Sequence, residues 1–177
     1  QDSSNAKGKE AEVARNIIDS MVLDDAIVTL DALHCQVSTM NKIRQRKGEF
    51  IIQLKANQPM LLETVKNAFS EVYAQPELPT FEQSNTGHGR KERRIVMQIE
   101  ASLPAELKKK WPHITSLIEV ASERTVNGKT SCSSRWYVSS LQVNAEEAAN
   151  AIREHWCVEN QLHWVLDGVP QAHRFAA

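Results

Sequence analysis

The sequence has few cysteines and no long apolar run. Its three cysteines, Cys35, Cys132 and Cys157, are odd in number and lie far apart, without the paired spacing of a zinc site. They fit a reducing cytoplasm. The longest apolar runs, such as residues 26–28 and 50–52, are only a few residues long, whereas a membrane span needs about 20. The sequence therefore predicts a protein with no membrane-spanning segment.

An excess of charge of either sign is also missing. The 22 acidic and 21 basic side chains leave a net charge of −1, which argues neither for nor against a nucleic-acid partner. The basic residues are clustered, however, at 42–47 and at 88–94. Each cluster can contact phosphate groups, and each can equally be a solvated face of a helix or strand.

The length and composition are those of one globular α/β domain, with or without an insertion. The 177 residues are 41% apolar and 24% charged, which excludes a disordered tail or a fibrous repeat. No charged-then-apolar signal segment opens the sequence, and its first residue is Gln1 rather than methionine. We therefore expect a piece of a longer protein, whose active site can be truncated.

Apolar periodicity in the first third predicts a βαβ unit. Residues 26–31 and 50–55 are short continuous apolar runs, typical of strands buried on both faces of a parallel sheet. A helix over 36–47 connects them, and we expect Gly48 at its C′ position. A helix over 5–22 precedes them, with an apolar stripe that we expect to pack on the sheet. That stripe is Val13, Ile17, Ile18 and Met21.

The second half of the chain has a different pattern. After Tyr73, a stretch rich in Pro, Ser, Asn and Gly predicts a loop up to residue 89, and three strand-like runs follow it. These runs are 94–100, 116–124 and 131–141, the last two joined by the hairpin dipeptide Asn127-Gly128. A long helix over 145–166, capped by Asn144, ends the pattern.

Two acids lie where acids are unusual. Glu159 belongs to an apolar stripe of the last helix, where a buried carboxylate needs a cation or a donor. A structural salt bridge, for example to Arg153, is one explanation. Asp31 ends a buried strand, where an acid either caps the next helix or lies in a ligand site. The stripe is Ala148, Ile152, His155, Glu159, Leu162 and Leu166.

Taken together, the two acids also suggest a metal site, as an alternative to the structural role of each. Carboxylates from a strand end and from a helix on the same sheet can converge on a divalent cation, and oxygen ligands suit Mg²⁺ or Mn²⁺. Two such ions can polarise a scissile phosphate, activate water or a 3′-hydroxyl, and stabilise the leaving oxygen. A two-metal site normally needs at least one further carboxylate.

Five long and specific stretches point to a family. They are AIVTLDALHCQ (26–36), EFIIQLKANQPML (49–61), HGRKERR (88–94), NGKTSCSSRWYVSSL (127–141) and IREHWCVENQLHWVLD (152–167). In this order they resemble the DDE transposases of bacterial insertion sequences, specifically the H-repeat-associated type. The resemblance implies an α/β, ribonuclease-H-like core. Within it, Asp31 is similar to the second catalytic aspartate and Glu159 to the catalytic glutamate.

The resemblance also implies a division of the chain. Residues 1–75 are expected to form the first part of the ribonuclease-H-like core, and 76–143 a β-rich insertion between the strand carrying Asp31 and the helix carrying Glu159. Residues 144–167 form that core helix. Residues 168–177 form a divergent tail, because the family usually continues here with a phenylalanine and a further acidic pair.

The first catalytic aspartate of the family has no match in this sequence. It lies on an earlier strand, typically in an Asp-Gly-Lys context, and no aspartate before Asp31 has these surroundings. We therefore expect a truncated fragment with an incomplete site for two Mg²⁺ or Mn²⁺ ions. The parent family is enzymatic, but we expect this fragment to be inactive.

Other residues are candidates for contacts around these acids. Lys55, Asn57, His88, Arg90 and Arg93 are candidate DNA contacts, although Asn57 equally suits a turn. His155 and His163 flank Glu159 at i−4 and i+4, and Asn160 follows it directly. These three are candidate second-layer donors to the acids, although histidines at such positions commonly only pack.

The sequence therefore predicts part of a bacterial transposase that cleaves DNA and transfers strands at the ends of an insertion sequence. One alternative is an inactive remnant that keeps the fold and weak DNA binding, and another is a metal-dependent nuclease. We expect a cytoplasmic, nucleoid-associated protein that binds DNA. Because its first strand is missing, we also expect an exposed sheet edge or apolar surface that favours a homo-oligomer.

The carboxylates of Asp31 and Glu159 are expected to lie about 4–8 Å apart, because both would contact the same ions. A crystal structure that orders both side chains measures this separation. Carboxylates on opposite sides of the sheet would contradict the assignment.

Overall fold

A computed structural model of the chain describes the backbone of residues 2–73, 78–87 and 90–167, and the side chains within 9–73, 78–87 and 90–156. In order, its elements are α1 (Asp2–Ser20), β1 (Ile27–Leu30), a 3₁₀ turn (Ala32–His34), α2 (Val37–Gln45), β2 (Glu49–Leu54), α3 (Pro59–Val72), β3 (Thr80–Gly87), β4 (Arg90–Glu100), α4 (Ala105–Lys110), β5 (Ser116–Val126), β6 (Lys129–Ser139) and α5 (Ala145–Asp167). Across the described residues, six strands form one sheet in the order β1-β2-β6-β5-β4-β3.

The predicted βαβ unit is confirmed. Strand β1 pairs in parallel with β2, from Ile27 opposite Glu49 to Leu30 opposite Ile52, and α2 connects them. The expected burial of both strands holds only for β2, which is buried from Phe50 to Leu54. All four residues of β1 are half-buried, because this strand is the edge of the described sheet and has a neighbour on one side only.

The predicted hairpin at Asn127 is also confirmed. Strands β5 and β6 pair antiparallel around Asn127 and Gly128, whose φ angles are +51° and +75°. Two consecutive positive φ angles are what a two-residue hairpin turn requires. The loop predicted before β4 was wrong in part, since residues 80–87 form β3 and pair with β4 along their whole length. This edge strand is mostly exposed and polar, so its sequence lacks the apolar alternation of a strand.

Pairing of β2 with β6 joins the two halves of the chain. Ile51 lies opposite Ser139, and Leu54 lies opposite Trp136, in an antiparallel ladder. Residues 76–143 therefore contribute four strands to the sheet that also contains β1 and β2. The division into a core and an insertion stays a prediction.

Helices cover the two faces of the sheet unequally. Apolar side chains of α2, α3 and α4 form one core with Phe50, Ile52 and Leu54. The described part of α5 packs on the opposite face, against Ile51 and Ile118. Within the described residues, no helix has the length and apolar character needed to cross a bilayer.

The stripe predicted for α1 is largely exposed, which corrects the expected packing on the sheet. Ile18 is buried, but Val13, Ile17 and Met21 are 56%, 54% and 47% exposed. The reason is that α1 packs on α2 and the 3₁₀ turn rather than on a strand. With Val22, the three side chains form an exposed apolar surface, the α1 face.

Gly48 is required for a reason other than the one predicted. Helix α2 has Arg46 as its C-cap, and the left-handed residue after it is Lys47, with φ +61°. Gly48 instead permits a close approach, because a Cβ there would lie 2.9 Å from the Cβ of Leu23.

Replacing Gly48 with alanine is expected to lower the free energy of unfolding by about 1–3 kcal/mol, the usual cost of overpacking a core. Urea unfolding followed by circular dichroism measures the change. Gly87→Ala is the matched control, since a Cβ at Gly87 meets no atom within 4 Å. Equal stability of the two variants would contradict this account of Gly48.

Association of the chain with itself is expected to rise with concentration, because the α1 face is exposed and β1 is an edge strand of the described sheet. Ile17→Lys is expected to weaken that association in light scattering. Met60→Lys, at a 71% exposed apolar side chain of α3, is the control. A monomer at all concentrations would contradict the prediction.

Candidate active site

Asp31 lies directly after β1, at the carboxyl end of the parallel pair. Its Oδ1 accepts a hydrogen bond of 2.8 Å from the backbone N–H of Leu33 and thereby caps the 3₁₀ turn. The second oxygen, Oδ2, accepts no hydrogen bond from the described residues, and the side chain is exposed. The two roles predicted as alternatives are therefore compatible: one oxygen caps, and the other can bind a ligand.

The start of α5 is fixed by hydrogen bonds to neighbouring strands. The backbone N–H of Asn144 donates to Oε1 of Gln98, and Oδ1 of Asn144 accepts from the N–H of Glu147, as predicted for a cap. Just before it, Ser140 exchanges two hydrogen bonds with the backbone of Phe50. These contacts place the first turn of α5 near the amino ends of β1 and β2.

One turn before Glu159, α5 contacts β1. Nδ1 of His155 lies 3.2 Å from Oγ1 of Thr29, at hydrogen-bond distance. The predicted stripe is buried at Ala148 and Ile152, so this face of α5 lies on the sheet. The side chains of Glu159, Asn160 and His163 lie outside the described residues.

A groove of about 1020 Å³ lies along the β1 edge and α5. Of the described residues, five carboxylates line it, and neither lysine nor arginine does. The groove is therefore negative, which attracts cations and repels the phosphates of nucleic acid unless a cation compensates. Its acidic residues are Asp25, Asp31, Glu146, Glu147 and Glu154.

Beside this groove, a small cavity lies between the sheet and α5. Asp31, Gln53, Tyr137, His155 and Trp156 contribute to its lining. Gln53 and Tyr137 are cross-strand neighbours on β2 and β6. Both are buried, at 6% and 5% exposure, so two polar side chains lie beneath the site.

The proton of the Tyr137 hydroxyl has no acceptor among the described residues. Burial raises the pKa of this hydroxyl, while the indole N–H of Trp156, directed toward its oxygen, and the cations of Arg135 and Arg94 act to lower it. An indole can only donate, so Trp156 cannot accept the tyrosine proton. Arg135 lies over the ring of Trp156, 4.6 Å from its centroid, and fixes the position of that ring.

Comparison with known proteins identifies the family. Residues 1–172 match the model of the transposase DDE domain. The chain belongs to the DDE transposase family. It is 31% identical over 173 residues to YncI of Escherichia coli O157:H7, covering 94% of this chain and 44% of YncI. It is 30% identical over 177 residues to the H repeat-associated protein YhhI of Escherichia coli K12, covering 96% of this chain and 46% of YhhI.

These relatives support the family resemblance that was inferred from the sequence. The names of YncI and YhhI both include the word transposase, and the H-repeat type is thereby confirmed. YbfL of Escherichia coli K12 is also 30% identical over 177 residues, which are 96% of this chain and 46% of YbfL. The chain spans less than half the length of the three relatives.

The basic residues predicted to contact DNA are not gathered at Asp31. Lys55 is exposed just after β2. Asn57 lies in the turn after β2, as considered for it, and its Nδ2 donates to the backbone oxygen of Ala32 at 2.7 Å. His88 lies outside the described residues.

Arg90 and Arg93 lie on β4, four strands from β1, which is about 19 Å at the usual spacing of strands. Arg93 donates two hydrogen bonds of 2.7 Å to Glu82, and Arg93 lowers the pKa of that carboxyl. Arg90 pairs with Glu92 at 2.5 Å. The Arg93–Glu82 pair is exposed on both sides, and such pairs contribute at most about 1 kcal/mol, so a phosphate group can displace this carboxylate.

DDE transposases generally use divalent metal ions. The free oxygen of Asp31 and the negative groove fit a hard cation. Among the described residues, however, no group of three His, Cys, Asp or Glu side chains could hold an ion together. A metal site that included Asp31 would therefore need ligands from outside these residues.

Gln53 and Tyr137 also line this site, and neither was predicted from the sequence. Gln53 lies two residues after Ile51 on β2, and side chains alternate along a strand, so Gln53 is on the face that packs against α5. This alternation is the sequence signal that could have identified Gln53. The register of β2 against β6, which brings Tyr137 beside Gln53, cannot be read from either strand alone.

Proposed function

We propose that this chain is part of a transposase that cleaves DNA and transfers strands at the ends of an insertion sequence, with Asp31 and Glu159 in its catalytic site. The observation that carries the proposal is the contact between His155 of α5 and Thr29 of β1. It supports a site to which both elements contribute, although they are far apart in the sequence.

The geometry of helix and strand extends this contact toward Asp31. Glu146, at the start of α5, lines the groove together with Asp25, which precedes β1. Further along both elements, His155 of α5 contacts Thr29 of β1. The helix and the strand therefore run in the same direction. Four more residues of helix advance about 6 Å, and two more residues of strand advance about 6.6 Å. Glu159 and Asp31 are therefore expected at the same height, which supports a shared site.

The proposed ion is Mg²⁺ or Mn²⁺, held by Asp31 and Glu159. When bound, it supplies charge stabilisation and activation of an attacking oxygen in phosphoryl transfer. The role of Asp31 is to present Oδ2 while Leu33 holds Oδ1. The other groove carboxylates raise the local concentration of cations and disfavour entry of DNA before an ion is present.

A second candidate function is DNA binding without catalysis, by a remnant that keeps the fold. Two observations favour it. Asp31 is the single described carboxylate with a free oxygen at the end of β1, and no residue of the sequence matches the first catalytic aspartate of the family. A nuclease without strand transfer would use the same acids.

The chain as given is expected to bind DNA weakly and not to catalyse strand transfer. Positioning dominates phosphoryl chemistry, so a site that lacks a ligand should lose turnover, whereas contacts to phosphate need less precision and weaken steeply with salt. Incubation with Mg²⁺ or Mn²⁺ and labelled DNA carrying the element's ends tests both expectations.

The control in this experiment is Asp31→Asn, which keeps an oxygen to cap the 3₁₀ turn. Cleavage by the chain that Asp31→Asn abolishes would contradict the expected inactivity and would support an enzyme. Binding that is absent, or that does not change with salt, would contradict a role in contacting DNA.

A further inference from the structure

The hydroxyl of Tyr137 is a polar group that the proposed function does not use. Its side chain is 5% exposed, and no group among the described residues accepts the hydroxyl proton. A buried hydroxyl that makes no hydrogen bond destabilises a fold, so such groups normally bind protein or ordered water. An unpaired one beside a site therefore points to a ligand.

The cavity next to Tyr137 has room for a specific ligand. Its volume is about 10 Å³, which is roughly the space that one water molecule needs. Asp31, Gln53 and Tyr137 line it together with Thr29, His155 and Trp156, so a molecule there would have at least three polar neighbours. Two to four polar partners are what a buried water requires.

The donors and acceptors around the cavity match a water molecule. The hydroxyl of Tyr137 can donate to the water oxygen, and the two water protons can then be accepted by Oδ2 of Asp31 and by the amide oxygen of Gln53. This arrangement uses the carboxylate oxygen that accepts no hydrogen bond from the described residues. Trp156, which also lines the cavity, can only donate and does not compete for the tyrosine proton.

We propose that Tyr137 is a positioning residue for Asp31: with Gln53 it binds one ordered water molecule, and this water orients the free oxygen of the carboxylate. Leu33 then holds one oxygen of Asp31, and the water holds the other. The importance of this orientation for metal binding rests on the proposed function, but the water site itself does not.

High-resolution crystal structures of the chain and of its Tyr137→Phe variant test the water site. The expected result is one ordered water within hydrogen-bond distance of Tyr137 and Asp31 in the native chain and no water there in the variant. Gln53→Leu is a second variant, expected to lose the same water. A cavity without water, or a Tyr137 hydroxyl bonded directly to a side chain in the second half of α5, would overturn the proposal.

Mn²⁺ binding, measured by electron paramagnetic resonance of the free ion, tests the positioning role. Tyr137→Phe is expected to weaken Mn²⁺ binding by about tenfold, the usual effect of losing a group that orients a ligand, without loss of stability in urea. Tyr73→Phe is the matched control. Tyr73, the other tyrosine of the chain, donates to the buried Glu119, so its variant should lose stability and keep Mn²⁺ affinity.

Asp31→Asn separates this proposal from the proposed function. If Asp31→Asn abolishes Mn²⁺ binding and Tyr137→Phe leaves it unchanged, the positioning role is wrong. If Asp31→Asn itself has no effect on Mn²⁺ binding, the metal role of Asp31 is wrong, and the water in the two crystal structures decides the role of Tyr137.

Discussion

The antiparallel pairing of β2 with β6 is the contact on which the rest of the structure depends. It joins a βαβ unit to the hairpins that follow it, although the two strands are separated by two helices and three strands in the chain. Ser140, directly after β6, bonds to the backbone of Phe50 in β2. The last helix must therefore start beside the first strands of the sheet.

This start determines what α5 can bring to Asp31. A helix is straight and rises about 1.5 Å per residue, so a fixed first turn and the contact of His155 with Thr29 set the path of α5 across the sheet face. Because β1 is short and lies at the edge of the described sheet, Asp31 remains accessible from the groove. An exposed acid on a rigid strand end, faced by a helix, is an arrangement suited to holding a cation.

The sequence predicted local features better than it predicted what the pairing of distant strands brings together. The Asn127-Gly128 turn, the βαβ unit and the stripe of α5 depend on neighbours within a few residues, and patterns of period 2 or 3.6 reveal them. The strand β3 escaped prediction because its polar residues are stabilised by the ladder with β4. The α1 stripe was misjudged because periodicity shows that a helix has an apolar face and does not show what covers it.

The candidate site shows the same difference between local features and features that depend on the pairing of distant strands. Asp31 is predicted from its place after an apolar run and from the family resemblance, and this assignment stays a prediction. Tyr137 and Gln53 become neighbours only through the register of β2 and β6, and Arg90 and Arg93 proved to be paired with acids on a distant part of the sheet. Residues that a sequence places in one motif are thus not always in one site.

Cross-linking tests most directly whether α5 carries Glu159 to Asp31. The background for this experiment is a chain in which the exposed Cys132 and also Cys157 are replaced by serine, while the buried Cys35 is kept. In this background, Asp31→Cys is combined either with Glu159→Cys or with Arg153→Cys, which lies on another side of the helix. A short thiol cross-linker, read by mass spectrometry after digestion, is predicted to join residues 31 and 159 and not 31 and 153. Equal cross-linking of both pairs, or of the 153 pair alone, would contradict the shared site.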